Sequence, residues 1–307
     1  MMLRGLQRRS ISSEAMGLRD SVRNFDYDNF LCALLLPSKA QDAYFALRAF
    51  NIEIAKIKDS VRTNPGAGRM RIHWWRQRIH DIYASPKPVK DHFLLAELQS
   101  AIQRHNLTQR WFDRILEARE LDLEMDQPET LLQLEHYAEK TASSLLYLAL
   151  ECVDVRDDTA DVAAQHAGMA VGMTTLLRGT VFHAKHNHVY LPKAVLEKHG
   201  LEAYDVLQGL GEDPALGAKC APAAFDVACT ALNHLRSARD LKGSLPKAAS
   251  PSSTRRYEFA VLAMVPTQLF LDKLETTNFN LFDETLHESR PQKLQLQLLK
   301  HSVFRYF

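Results

Sequence analysis

ALRAFNIEIAKIKD, residues 46–59, reads as one amphipathic helix. Leu47, Ala49, Phe50, Ile54 and Ile57 recur at helical steps, and Tyr44 extends the pattern backward. Pro37-Ser38 supplies a cap-like start and Asn64-Pro65-Gly66 a break beyond Asp59. Glu53, Lys56, Lys58 and Asp59 mark a solvated face. A second stretch, TTLLRGTVFHAKHNHVYLP at residues 174–192, continues a helical run begun near Asp157 and halts before Val189-Tyr190-Leu191-Pro192.

The same period runs through most of the chain. Helices are expected over Phe30–Leu36, Met70–Tyr83, Phe93–His105 and Trp111–Met125, with Thr108 as an N-cap. Longer ones are expected over Glu129–Val153, Asp157–Phe182, Ala223–Leu241 and Tyr257–Leu274. A short helix follows Pro192 and closes at Gly200, and a polar loop surrounds Ser250–Thr254. Gly168, Gly172 and Gly179 lower the propensity of their helix and permit close approach of another element. Strand signals are nearly absent. One all-α domain over residues 21–307 accounts for the pattern.

Composition narrows the function classes. The chain has 307 residues, 46% of them hydrophobic, enough for a sizeable core. Its 38 basic and 37 acidic residues leave a net charge of +1, so no global field draws it to nucleic acid. Cys32, Cys152, Cys220 and Cys229 lack metal-type spacing and read as buried free thiols. No apolar run reaches the length of about 18 residues that a membrane span needs. The start is different in kind: Arg4, Arg8 and Arg9 mix with Ser10, Ser12 and Ser13, and no acid precedes Glu14. That pattern predicts a mitochondrial transit peptide over residues 1–20 and a matrix address.

His183, His186 and His188 crowd into one short segment, but a helix ending near Val189 need not converge their rings. The residues therefore predict no metal, no cofactor and no catalytic group. Lys300–Phe307 (KHSVFRYF) interleaves basic and aromatic side chains, which suits either an anionic interface or a last turn packed on the bundle.

Several of these segments together resemble the squalene/phytoene synthase family. Residues 46–59 resemble its first aspartate motif, and Trp74-Trp75-Arg76 its following W-R pattern. QRHNL at 103–107, with Arg119 and Asp122 beyond it, is similar to its H-x-L and R-x-x-D stretch. Leu176-Leu177-Arg178 and Val189–Pro192 resemble the second motif, and His234–Arg239 a late H-x-R-x-A-R helix. The resemblance implies an isoprenoid-synthase-like helical bundle around a central cavity, where paired D-x-x-x-D motifs hold Mg²⁺ against a diphosphate. Such a site needs hard oxygen ligands. At the positions matching those aspartates this chain has Ala55, Asp59, Gly179 and His183. Ile52 stands where the family has a phosphate-binding Arg, and Gly172 and Thr175 where it has polar helpers. Those three, with Arg178 and Tyr190, are the expected cavity-lining residues.

Longer strings, AFNIEIAKIKDSV at 49–61 and RHNLTQRW at 104–111 among them, resemble a branch of the family that serves assembly of mitochondrial respiratory complex I. That branch implies a non-catalytic matrix protein, peripheral to the inner membrane. It would bind complex I subunits or assembly intermediates early, around membrane-arm subunit 1. The alternative is a prenyl diphosphate transferase, or a protein that keeps the cavity to bind an isoprenoid.

Overall fold

The computed structural model describes residues 17–61, 64–211, 214–242, 251–288 and 291–304. Among them there is no β-strand, and the helices form the expected all-α bundle. At its centre lies α3 (Ser38–Ser60). Tyr44, Phe45, Ala46, Leu47, Ala49 and Phe50 are all buried, so this part of α3 is enclosed on nearly every side. Phe50 meets Trp75 and Phe112 edge-on, with ring centroids 5.5 and 5.4 Å away. Those partners come from α4 (Pro65–Ala84) and α6 (Gln109–Asp122).

The expected break at Asn64-Pro65-Gly66 is in fact a helix start. Asn64 Oδ1 accepts from the Ala67 amide and Pro65 occupies the first helical turn, where its missing N–H costs nothing. Thr108 does sit at the N-cap of α6, but its hydroxyl donates to Glu151 Oε1 at 2.5 Å rather than capping the helix.

Three long predicted helices are interrupted, the last of them at residues 261–263. The segment expected at 129–153 is α7 (Leu131–Ala138), a π-helical turn (Glu139–Ser143) and α8 (Ser144–Cys152) in unbroken succession. The segment expected at 157–182 is α9 (Asp158–Arg178), then Gly179, then α10 (Thr180–Ala184). Gly168 explains why α9 lies so close to the π turn: a Cβ there would fall 2.3 Å from the Ser143 Cα. Ser143 Oγ also donates to the Gln165 carbonyl at 2.8 Å. α9 packs most extensively against α14 (Ala221–Lys242).

Near the C-terminus, the expected polar loop around Ser250–Thr254 instead overlaps α15 (Pro251–Ala260), because Pro251 begins a helix. Residues 261–263 then separate it from α16 (Met264–Thr276). α18 (Pro291–Phe304) seats Leu294 and Leu298 in a small second core with Leu31, Cys32, Leu262 and Val265. Residues 1–16 of the expected transit peptide lie outside the described residues, whereas Leu18–Asp20 belong to α1 (Leu18–Phe25). Phe307 and its two predecessors also lie outside them. No described helix is long and apolar enough to cross a membrane.

Candidate functional site

The end of α3 brings Lys58 inward. Its ammonium donates to Asp122 Oδ1 at 2.9 Å, to the Met125 carbonyl at 3.0 Å and to the Tyr190 hydroxyl at 3.2 Å. Asp122 closes α6 and is only 2% exposed. Tyr190 donates to both of its oxygens, at 2.9 and 3.0 Å, and Tyr137 of α7 donates to Oδ2 at 3.2 Å. Arg119, one turn before Asp122, donates to the Tyr137 hydroxyl at 2.6 Å. Five side chains from three helices and one loop thus build a single charged knot. Lys58 and Asp122 oppose each other and use their spare hydrogen-bonding capacity, which makes the buried pair tolerable, while Arg119 Nε is buried without a partner among the described residues.

The second motif closes over this knot. His183 meets Tyr190 edge-on, ring centroids 4.6 Å apart. Burial first, then the nearby Lys58, His188 and Arg119 charges against the opposing pull of Asp122, hold His183 down to about 4, so it is neutral in the physiological range. Gly179 is what makes room for the ring: a Cβ at 179 would sit 2.7 Å from His183 Nε2. The glycine and the histidine are therefore one fitted pair. Beneath them, the gap lined by Leu134, Met173, Leu177, Tyr190 and Val227 is too small to admit a water molecule. The bundle is the expected one, and the gap beside Tyr190 is closed by these side chains.

The other residues singled out from sequence fall in different places. Ala55 and Asp59 are half-buried on α3, and among the described residues Asp59 has no hydrogen bond or ion pair. Ile52 is buried in the core. Gly172 serves a helix crossing, because a Cβ there would lie 2.6 Å from Ala138 Cβ. Thr175 is exposed and donates to the Val171 carbonyl of its own helix. Arg178 turns away to pair with Asp28 of α2 (Tyr27–Leu35) at 2.5 Å. Of the three clustered histidines, His186 bonds back to the Phe182 carbonyl and does not join His183.

The donor set does not fit a Mg²⁺ cluster. The deepest carboxylate, Asp122, already holds an ammonium, and among the described residues no three His, Cys, Asp or Glu side chains are placed to share a cation. Sequence reasoning placed Lys58 beside the first motif and Asp122 in its own stretch, but not in contact. Only the fold closes their separation of 64 residues.

The squalene/phytoene synthase family model matches residues 22–298, and the chain belongs to that family. A protein of Bos taurus named NADH dehydrogenase (ubiquinone) complex I, assembly factor 6, is 37% identical over 279 residues, covering 90% of this chain and 79% of the relative. The Homo sapiens protein of that name is 37% identical over 267 residues, covering 87% and 75%. Among solved structures, a dehydrosqualene synthase in complex with ligand superposes with a TM-score of 0.76 at 18% identity, covering 94% of this chain and 96% of that one. This structural likeness establishes the fold.

Proposed function

We propose that this chain is a non-catalytic assembly factor for mitochondrial respiratory complex I, a pseudoenzyme built on the synthase bundle. One observation carries the non-catalytic half: the Lys58 ammonium sits in the Asp122 carboxylate at 2.9 Å, beside Tyr190 of the second motif. This fixed internal cation neutralises Asp122 and cannot leave with a diphosphate. Three of the positions matching family aspartates are Ala55, Gly179 and His183, and the last two are packed against each other. The assembly half is supported by the names of the relatives. On this reading the protein works in the matrix, peripherally on the inner membrane, and binds complex I subunits or intermediates around membrane-arm subunit 1. A prenyl transferase or an isoprenoid carrier would need an open apolar space beside the motifs. The filled gap under Tyr190 counts against both.

The test is complementation. Cells lacking their own assembly factor of this kind should regain assembled complex I and its NADH:ubiquinone activity when given this chain. Unchanged complex I in cells that express and import it would refute the assembly role. Release of diphosphate from farnesyl diphosphate by the pure protein with Mg²⁺ would refute the non-catalytic one.

A further inference from the structure

A groove on the outer side of α3 and α4 takes no part in the charged knot or the packing around it. It encloses about 600 Å³ and is open along one side. Met70 and Trp74 stand on its rim, 71% and 42% exposed, and Trp75 lies deeper. Trp74 and Trp75 contact each other edge-on at 5.1 Å, which stiffens the wall. Exposed Trp, Met and Arg are the residue types enriched where proteins bind proteins.

The charges are equally specific. α4 carries four arginines, Arg69, Arg71, Arg76 and Arg78, and three of them pair with a carboxylate: Arg69 with Glu124, Arg76 with Glu120 and Arg78 with Asp81. Arg71, the one in the groove, instead donates to Ser60 Oγ at 2.7 Å and has no carboxylate among the described residues. Lys56, across the groove, lies 3.1 Å from the centroid of the Phe25 ring and likewise forms no ion pair among them. Glu53 is the only acid in the lining.

We infer that this groove is a docking site for an acidic amphipathic segment of a partner protein, with apolar side chains on Met70 and Trp74 and carboxylates on Lys56 and Arg71. The concave shape fits the ridge of a helix or an extended segment. It suits a flat lipid surface poorly, since such a surface would engage protruding cations. Lys56 and Lys58 thus divide the work of one helix end: Lys58 closes the interior and Lys56 faces the partner.

The test uses the full-length chain and two synthetic helical peptides with the same leucine face, one with glutamates on its polar face and one with lysines. Binding is read by tryptophan emission and calorimetry. The glutamate peptide should bind at least tenfold more tightly than the lysine peptide. The double variant Lys56→Glu/Arg71→Glu should weaken it about tenfold, the scale of two partly exposed ion pairs. The same variant should strengthen the lysine peptide. Trp74→Ala should weaken both peptides, and circular dichroism should show both variants folded. Equal affinity for the two peptides, no binding of either, or a double variant that leaves the preference unchanged would overturn the inference. So would saturable binding to vesicles of phosphatidylcholine and cardiolipin that blocks neither peptide and is lost in the double variant. Failure here leaves complementation of complex I unaffected, so the two readings fall separately.

Discussion

Replacing Lys58 by methionine deletes an ammonium and keeps much of the side-chain volume. Lys58 and Asp122 are 11% and 3% exposed, so the carboxylate would stay buried without its cation. Removing one partner of such a pair costs about 3–5 kcal/mol. Asp122 keeps the Tyr190 and Tyr137 hydroxyls at 2.9 and 3.2 Å, which favours the low end, about 3 kcal/mol. For a chain of this size that corresponds to a fall in Tm of about 6 °C. Urea denaturation followed by circular dichroism measures it. The companion variant Lys58→Met/Asp122→Asn removes both charges and keeps an acceptor for the tyrosines. It should be more stable than Lys58→Met alone, with a coupling of about 2 kcal/mol. A single variant that loses less than about 1 kcal/mol, or a double variant that loses the sum of the singles, would refute the claim that the pair acts as one unit.

Gly168→Ala drives a Cβ into the Ser143 backbone at 2.3 Å and should cost about 3 kcal/mol or more in thermal or urea unfolding. His183 is neutral when folded down to about 4 but takes a proton near 6.5 when unfolded. The unfolded chain therefore binds more protons in that window, and the contribution of His183 to stability is complete above pH 6.5 and lost as pH falls towards 4. The loss is about 3 kcal/mol, and His183→Gln should remove that part of the slope in stability measured against pH. Finally, Ala55→Asp/Gly179→Asp/His183→Asp should not create Mg²⁺-dependent release of diphosphate from farnesyl diphosphate. Lys58 still holds Asp122 in that variant; turnover by it would undo the account of Lys58 as a resident cation.

The helical class was legible because long stretches such as Tyr44–Ile57 keep one period and strand patterns are missing. The interruptions were not. The π turn at Glu139–Ser143 carries no sequence mark, and its contacts are made only in the fold: Glu139 pairs with Arg114, and Ser143 fits against Gly168. Gly179 was readable as a weak helix point, but not as the seat of the His183 ring. Within the site, the resemblance to the family's aspartate motifs picked out Ala55, Asp59, Gly179 and His183 and could say nothing of Lys58 meeting Asp122. Adjacent positions on a helix differ by about 100° in direction, so which lysine near Asp59 points inward is decided by packing against α6. Arg178 shows the converse. It sits in a motif-like stretch, yet α2 offers Asp28 and takes it out of the site.

The π turn also has a consequence for how this chain can change over time. A π turn carries one residue more than an α-helix would need over the same span, a phase offset of about 100° for everything after it. That offset orients α8, in which every residue from Ser144 to Cys152 is buried, and Glu151 near its end takes the Thr108 amide, the Thr108 hydroxyl and Arg156. Losing a single residue from Glu139–Ser143 would reset that phase and swing Glu151 off the Thr108 amide and hydroxyl. The segment is thus a vernier: its amino acids can vary within packing limits, but its length is locked to the residue.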